Sequence, residues 1–112
     1  MHEKISVWLE DISRAIAEIA AFVPESVSFS LFQQDIKTKR AVERNIEIIG
    51  EAMRRILSLD PNIKISNTRK IVDTRNRIIH GYDSVSDEIT WTIVRKYLPI
   101  LSKEIKELKD KS

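Results

Sequence analysis

The sequence predicts an all-α protein, an up-and-down bundle of about four to five helices. Three observations carry this. Apolar residues recur at three- and four-residue spacing over long stretches. Only two glycines and three prolines punctuate 112 residues, too few for many short strands. Charged residues make up 32% and apolar residues 42%, the balance of a soluble chain built from strongly amphipathic elements. The length suits a single domain spanning residues 1–112, since one core normally takes about 100–200 residues.

The first helix follows from Ile5, Trp8, Ile12, Ala15, Ile16, Ile19 and Val23, which fall on one stripe, and Pro24 ends it. Glu10, Asp11, Arg14 and Glu18 take the wet side, and Trp8 is read as core packing. Residues 26–34 form a turn and a brief helix, whose two phenylalanines, Phe29 and Phe32, cover one end of the bundle. The second long helix spans residues 37–57, with Val42, Ile46, Ile49, Met53, Ile56 and Leu57 at nearly heptad spacing. Gly50 in its interior costs roughly 1 kcal/mol relative to alanine, which the close approach of another backbone would explain.

Asp60, Pro61 and Asn62 mark a turn, and Ser66 or Asn67 can cap the next helix, residues 67–80. Gly81 is its natural stop. Ser86, Asp87 and Glu88 open the last helix, placing carboxylates at the positive end of its dipole. Its stripe is Trp91, Val94, Leu98, Leu101, Ile105 and Leu108, and Pro99 should kink it by removing one backbone bond.

The absence of cysteine excludes disulfides and thiolate metal sites, and two histidines are too few for a histidine-rich one. No cofactor or metal is expected. No basic-apolar leader and no run of about 18 apolar residues occurs, so a cytoplasmic protein without a membrane partner is expected. A net charge of +2 and a pI near 9.0 permit RNA binding without demonstrating it. Gly-rich phosphate loops, paired metal-binding carboxylates and serine-nucleophile motifs are missing.

Chemistry therefore concentrates in residues 75–82: Arg75, Asn76, Arg77, Ile78, Ile79, His80, Gly81 and Tyr82. On a helix, Ile71, Val72, Ile78 and Ile79 share a stripe, and Arg75 lies inside it. A guanidinium there needs a partner. It is either a structural ion pair with a neighbouring helix or a bidentate grip on phosphate. Glu51 on the second long helix, seven residues after Arg44 on the same face, is the candidate partner; the alternative leaves Arg44 and Glu51 as surface charges. His80 is roughly 140° around the helix from Arg75, so the two do not share a face. Asn76 does share one with His80 and could orient its imidazole. At the carbonyl end of the helix His80 is suited to acid-base work, or is only a capping or surface histidine. Tyr82 could fold back toward the same pocket or plug the end of the bundle.

Arg75, four residues, His80, one residue and Tyr82 make an R-x4-H-x-Y pattern, with Asn76 as the polar residue after the arginine. Together with the run from Arg44 through Gly50, Glu51 and Ala52, and with Asp87, Glu88 and Trp91, this resembles the HEPN superfamily, specifically its small HepT-like ribonuclease toxins, over nearly the whole chain. The resemblance implies a HEPN-like helical domain, a homodimer with a composite cleft, and metal-independent endoribonuclease activity leaving a 2′,3′-cyclic phosphate. It implies Arg75 and His80 as catalytic residues. It also implies a toxin–antitoxin role in which a minimal nucleotidyltransferase antitoxin attaches AMP to Tyr82.

The residues alone are consistent with that. RNA cleavage needs a base for the 2′-hydroxyl, an acid for the departing 5′-oxygen and a cation for the phosphorane. One histidine per chain can hardly serve as both, whereas a two-fold pair of chains would bring two; water or the Tyr82 hydroxyl is the alternative proton carrier. Two other classes stay open: a non-catalytic module binding a nucleotide or the nucleotidyltransferase, and a structural bundle with Arg75 as a satisfied ion pair.

Overall fold

The longest helix, α3 (Ile36–Leu59), is the element on which the others pack. Asp35 starts it by accepting from the Thr38 amide at 3.0 Å and the Thr38 hydroxyl at 2.6 Å. Val42, Ile46, Ile49, Met53 and Ile56 then return to one buried stripe. The computed structural model describes residues 1–80 and 86–111, and among these no strand occurs, so the chain is all-α.

Both α1 (Glu3–Phe22) and α4 (Thr68–Ile79) pack extensively on α3. The short α2 (Phe29–Gln34) packs on α3 and is capped by Ser28, whose hydroxyl accepts from the Leu31 amide. The last rod is α5 (Asp87–Thr92), a π turn (Ile93–Tyr97) and α6 (Leu98–Asp110), and α6 returns to α1. The principal extents are 41 × 29 × 18 Å. The smallest corresponds to two layers of helices at the usual spacing of about 8–10 Å.

The core joins Leu9, Ile12 and Ile19 of α1 to the α3 stripe, Ile71 of α4, and Leu98, Leu101 and Ile105 of α6. Leu9 is fully buried, although the periodicity pointed to its neighbour Trp8, which is only half-buried. Phe32 is buried and Phe29 partly so. Both meet Trp91, with ring centroids 5.6 and 5.3 Å apart.

Two local expectations about α4 are corrected. Neither Ser66 nor Asn67 caps α4 through its side chain. Asn67 holds the cap position with φ of 61°, a left-handed conformation that asparagine tolerates, and makes no side-chain cap bond. Ser66 instead donates its amide and hydroxyl to Glu104 on α6, which ties the loop to the last helix. The apolar stripe of α4 is narrower than expected: Ile71 and Thr74 are buried, whereas Ile79 is 43% exposed. Thr74 lies inside because its hydroxyl donates back to the Lys70 carbonyl at 2.7 Å and so needs no water.

In the last rod, the proline position is met by a widened turn. Pro99 cannot donate to a carbonyl one turn back. The turn just before it opens into π geometry, which brings both Ile93 and Val94 into the core. Arg95 in that turn donates to the carbonyls of Val23, Pro24 and Val27 at 2.9–3.1 Å and lies 4.5 Å from the Trp91 ring centroid. It fastens the α1–α2 connection to the last rod.

Candidate active site

Arg75 reaches its place because Gly50 has no side chain. A Cβ on Gly50 would lie 2.3 Å from the Arg75 Cβ and 2.7 Å from its Cγ, with the Ile71 carbonyl oxygen at 3.4 Å. The close approach across the α3–α4 contact is thus mainly by the arginine stem, where another backbone was expected. Glu51, one residue on, accepts from the Arg75 Nη2 at 2.7 Å, the pairing that its position on the facing helix suggested.

The guanidinium is held from two sides. Nη2 goes to Glu51, and Nη1 donates to the Asn76 Oδ1 at 2.8 Å. Asn76, expected to orient His80, gives its side-chain oxygen to Arg75. The reason is reach, since a long side chain can fold back onto its sequence neighbour. Arg75 Nε is buried and has no hydrogen-bond partner among the described residues. The Arg75 and Glu51 side chains are 20% and 28% exposed, so this is a half-buried pair facing an opening.

That opening is a depression of about 320 Å³ between α1, α3 and α4, with Trp8, Arg44, Glu51, Arg55, Arg75 and Ile79 among its lining residues. Glu51 is the anionic hub. It also accepts from Arg54 at 2.7 Å and from Arg55 at 3.0 Å. The Arg54 hydrogen bond first, then the Arg55 bond and the charges of Arg54 and Arg75, bring its carboxyl down to about 2 against the opposing effect of burial. Glu51 is therefore ionised at any pH where the protein works, and a second anion arriving here meets cations already oriented. Arg44 is exposed and pairs with Glu47 at 3.7 Å.

His80 is exposed at the carbonyl end of α4, and its amide donates to the Asn76 carbonyl at 3.1 Å. Its side chain faces a second depression, shared with Asp73, Asn76 and Arg77. One chain therefore sets Arg75 and His80 in separate depressions, as their angular separation requires, and Asn76, which lines the His80 depression, bonds to Arg75. Gly81 and Tyr82 lie outside the described residues. Among the described residues no group of three or more His, Cys, Asp or Glu side chains is placed to hold a metal ion, and no helix is long and apolar enough to cross a membrane.

Sequence reasoning missed two parts of the site. Trp8 forms part of the wall beside Arg75, and no spacing rule separates a wall tryptophan from a core one. Arg54 and Arg55 share Glu51, and their signal was present, three and four residues beyond a carboxylate on one helix.

A small helical bundle with an arginine buttressed by a carboxylate and an amide, and a histidine at the end of the same helix, defines a class. The family model described as Ribonuclease HepT-like matches residues 12–108, and the chain belongs to that family. It is similar to the probable ribonuclease HepT of Thermococcus cleftensis, 36% identical over 106 residues that cover 91% of this chain and 93% of the relative. A protein of Methanocaldococcus jannaschii, provisionally named an RNase, is 31% identical over 108 residues, covering 93% and 86%. Another so named, from Caldanaerobacter subterraneus, is 35% identical over 89 residues, covering 78% and 79%. No solved structure gives a significant match to the chain.

Proposed function

We propose that this chain is a metal-independent endoribonuclease acting as a homodimer. The observation that carries the reading is the Arg75 guanidinium, fixed by Glu51 and Asn76 at the edge of an open cleft, with a second N–H left on each of its two terminal nitrogens beyond those two bonds. Such a group binds phosphate bidentately and stabilises the extra charge of a phosphorane. Membership of the HepT-like ribonuclease family and the ribonuclease names of its relatives support RNA as substrate.

Two copies complete the chemistry. The lining of the Arg75 cleft includes apolar surface: Ile79 is 43% exposed, and Trp8 and Ile48 are half-buried. Pairing these rims about a two-fold axis buries that surface and brings the α4 ends of two chains to one cleft. One His80 takes the proton from the 2′-hydroxyl, whose oxygen attacks phosphorus. The bond to the 5′-oxygen breaks, and that oxygen takes a proton from the other His80. The products are a 2′,3′-cyclic phosphate and a 5′-hydroxyl.

In this reading the protein is the toxin of a toxin–antitoxin pair in the cytoplasm, neutralised when a minimal nucleotidyltransferase antitoxin attaches AMP to Tyr82. Only Gly81 separates Tyr82 from His80, so an added phosphodiester would compete with RNA phosphate for the same cations. The test is incubation with labelled RNA in excess EDTA, wild type beside His80→Ala, with product ends analysed. Cyclic-phosphate ends from wild type alone are expected. Absence of cleavage by unmodified wild type across varied RNAs would favour a module that binds a nucleotide or the nucleotidyltransferase without catalysis.

A further inference from the structure

A groove of about 410 Å³ separates α4 from the α5–π rod, on a different face of α4 from the Arg75 cleft. Tyr97, the last residue of the π turn, is half-buried in its wall. Two ammonium groups flank the Tyr97 ring: Lys70 Nζ from α4 lies 5.5 Å from its centroid and Lys96 Nζ 5.4 Å. Both lysines are exposed, and neither enters an ion pair among the described residues. The groove is continuous with the depression at His80, because Asp73 and Arg77 line both. From Lys70 to Arg77 the helix rises about 10 Å. A track of cations with an aromatic ring among them thus runs along α4 and ends at His80.

We propose that this groove is a subsite for single-stranded RNA flanking the bond to be cut, with a base stacked on Tyr97 and phosphates on Lys70, Lys96 and Arg77. Each nucleotide presents a flat π system and an anion together, and a ring bracketed by two cations matches both. The two exposed carboxylates lining the groove, Asp73 and Glu88, can accept from base N–H groups. A duplex does not fit this geometry, because its bases are already stacked on one another. The inference rests on RNA being the substrate and adds where the strand lies.

Binding and cleavage are read separately. A short labelled single-stranded RNA is titrated by fluorescence anisotropy into His80→Ala protein, alone and combined with Tyr97→Leu or Tyr97→Phe, with melting curves for each. Tyr97→Leu should weaken binding about 5- to 100-fold, and Tyr97→Phe should restore most of it, since one stacked base carries the difference. In the wild-type background Tyr97→Leu should raise KM far more than it lowers kcat. Should Tyr97→Leu fail to fold, Lys70→Gln with Lys96→Gln should lower the slope of log affinity against log salt by about 1.4. Equal affinity and equal salt slope in these variants, beside wild type that binds and cuts RNA, would overturn the subsite alone. Wild type that neither binds nor cuts RNA would overturn the ribonuclease reading and the subsite with it.

Discussion

Replacing Gly50 by alanine sets two effects of opposite sign against each other. Alanine is the better helix former by about 1 kcal/mol, and in an exposed helix the change would stabilise. Here the new Cβ would lie 2.3 Å from the Arg75 Cβ, whereas carbon atoms rest about 3.5–4.0 Å apart. Arg75 must therefore retreat by about 1 Å or more, and its Cβ, next to the backbone, can do so only if α4 moves with it. Overpacking of this kind costs about 1–3 kcal/mol, which outweighs the helical gain or cancels it. At about 4 °C per kcal/mol the melting temperature should fall by up to about 8 °C. The larger consequence is for activity, because a displacement of about 1 Å in a positioned group costs on the order of 100-fold. Calorimetry and RNA cleavage on the same preparation measure both. A Gly50→Ala protein that melts higher than wild type and cuts RNA as well would refute the claim that the glycine exists to admit Arg75.

Glu51→Gln should destabilise the fold by about 1–2 kcal/mol at neutral pH, since the pair with Arg75 is half-buried. The folded carboxyl, at about 2, lies below its unfolded value of about 4.3, so its stabilisation is complete above the latter and fades as pH falls toward the former. The gap in melting temperature between wild type and Glu51→Gln should therefore be widest at neutral pH and shrink near about pH 3; a constant gap would contradict the ionic origin. Arg95→Ala should cost about 2–3 kcal/mol through three lost carbonyl contacts and the Trp91 stack, with RNA cleavage preserved well below the melting temperature. Parallel melts and cleavage assays separate those effects.

The all-helical class and the α3 stripe were legible because a periodic apolar pattern has one low-energy solution once its stripe is buried. The pairing of Glu51 with Arg75 was legible for a related reason: an arginine on an apolar face must find a carboxylate, and few carboxylates face it. The bond between Asn76 and Arg75 was not legible, because spacing on a helix ranks neighbours along the face and ignores how far a flexible guanidinium can bend back. The π turn was not legible, since i→i+5 geometry depends on how Ile93, Val94 and Leu98 share the core, which a linear stripe does not encode. The tyrosine groove needed the fold, because Lys70 and Tyr97 belong to elements that only tertiary packing brings together.

Arg95 also sets an order of events during synthesis. Its guanidinium holds carbonyls at Val23, Pro24 and Val27, about seventy residues upstream, and α6 completes the core around α1. Until the last rod has been made, α1, α3 and α4 exist without the elements that close them, and such long-range contacts form last. Chains arrested before Arg95 should remain sensitive to protease, whereas released full-length chains should resist it.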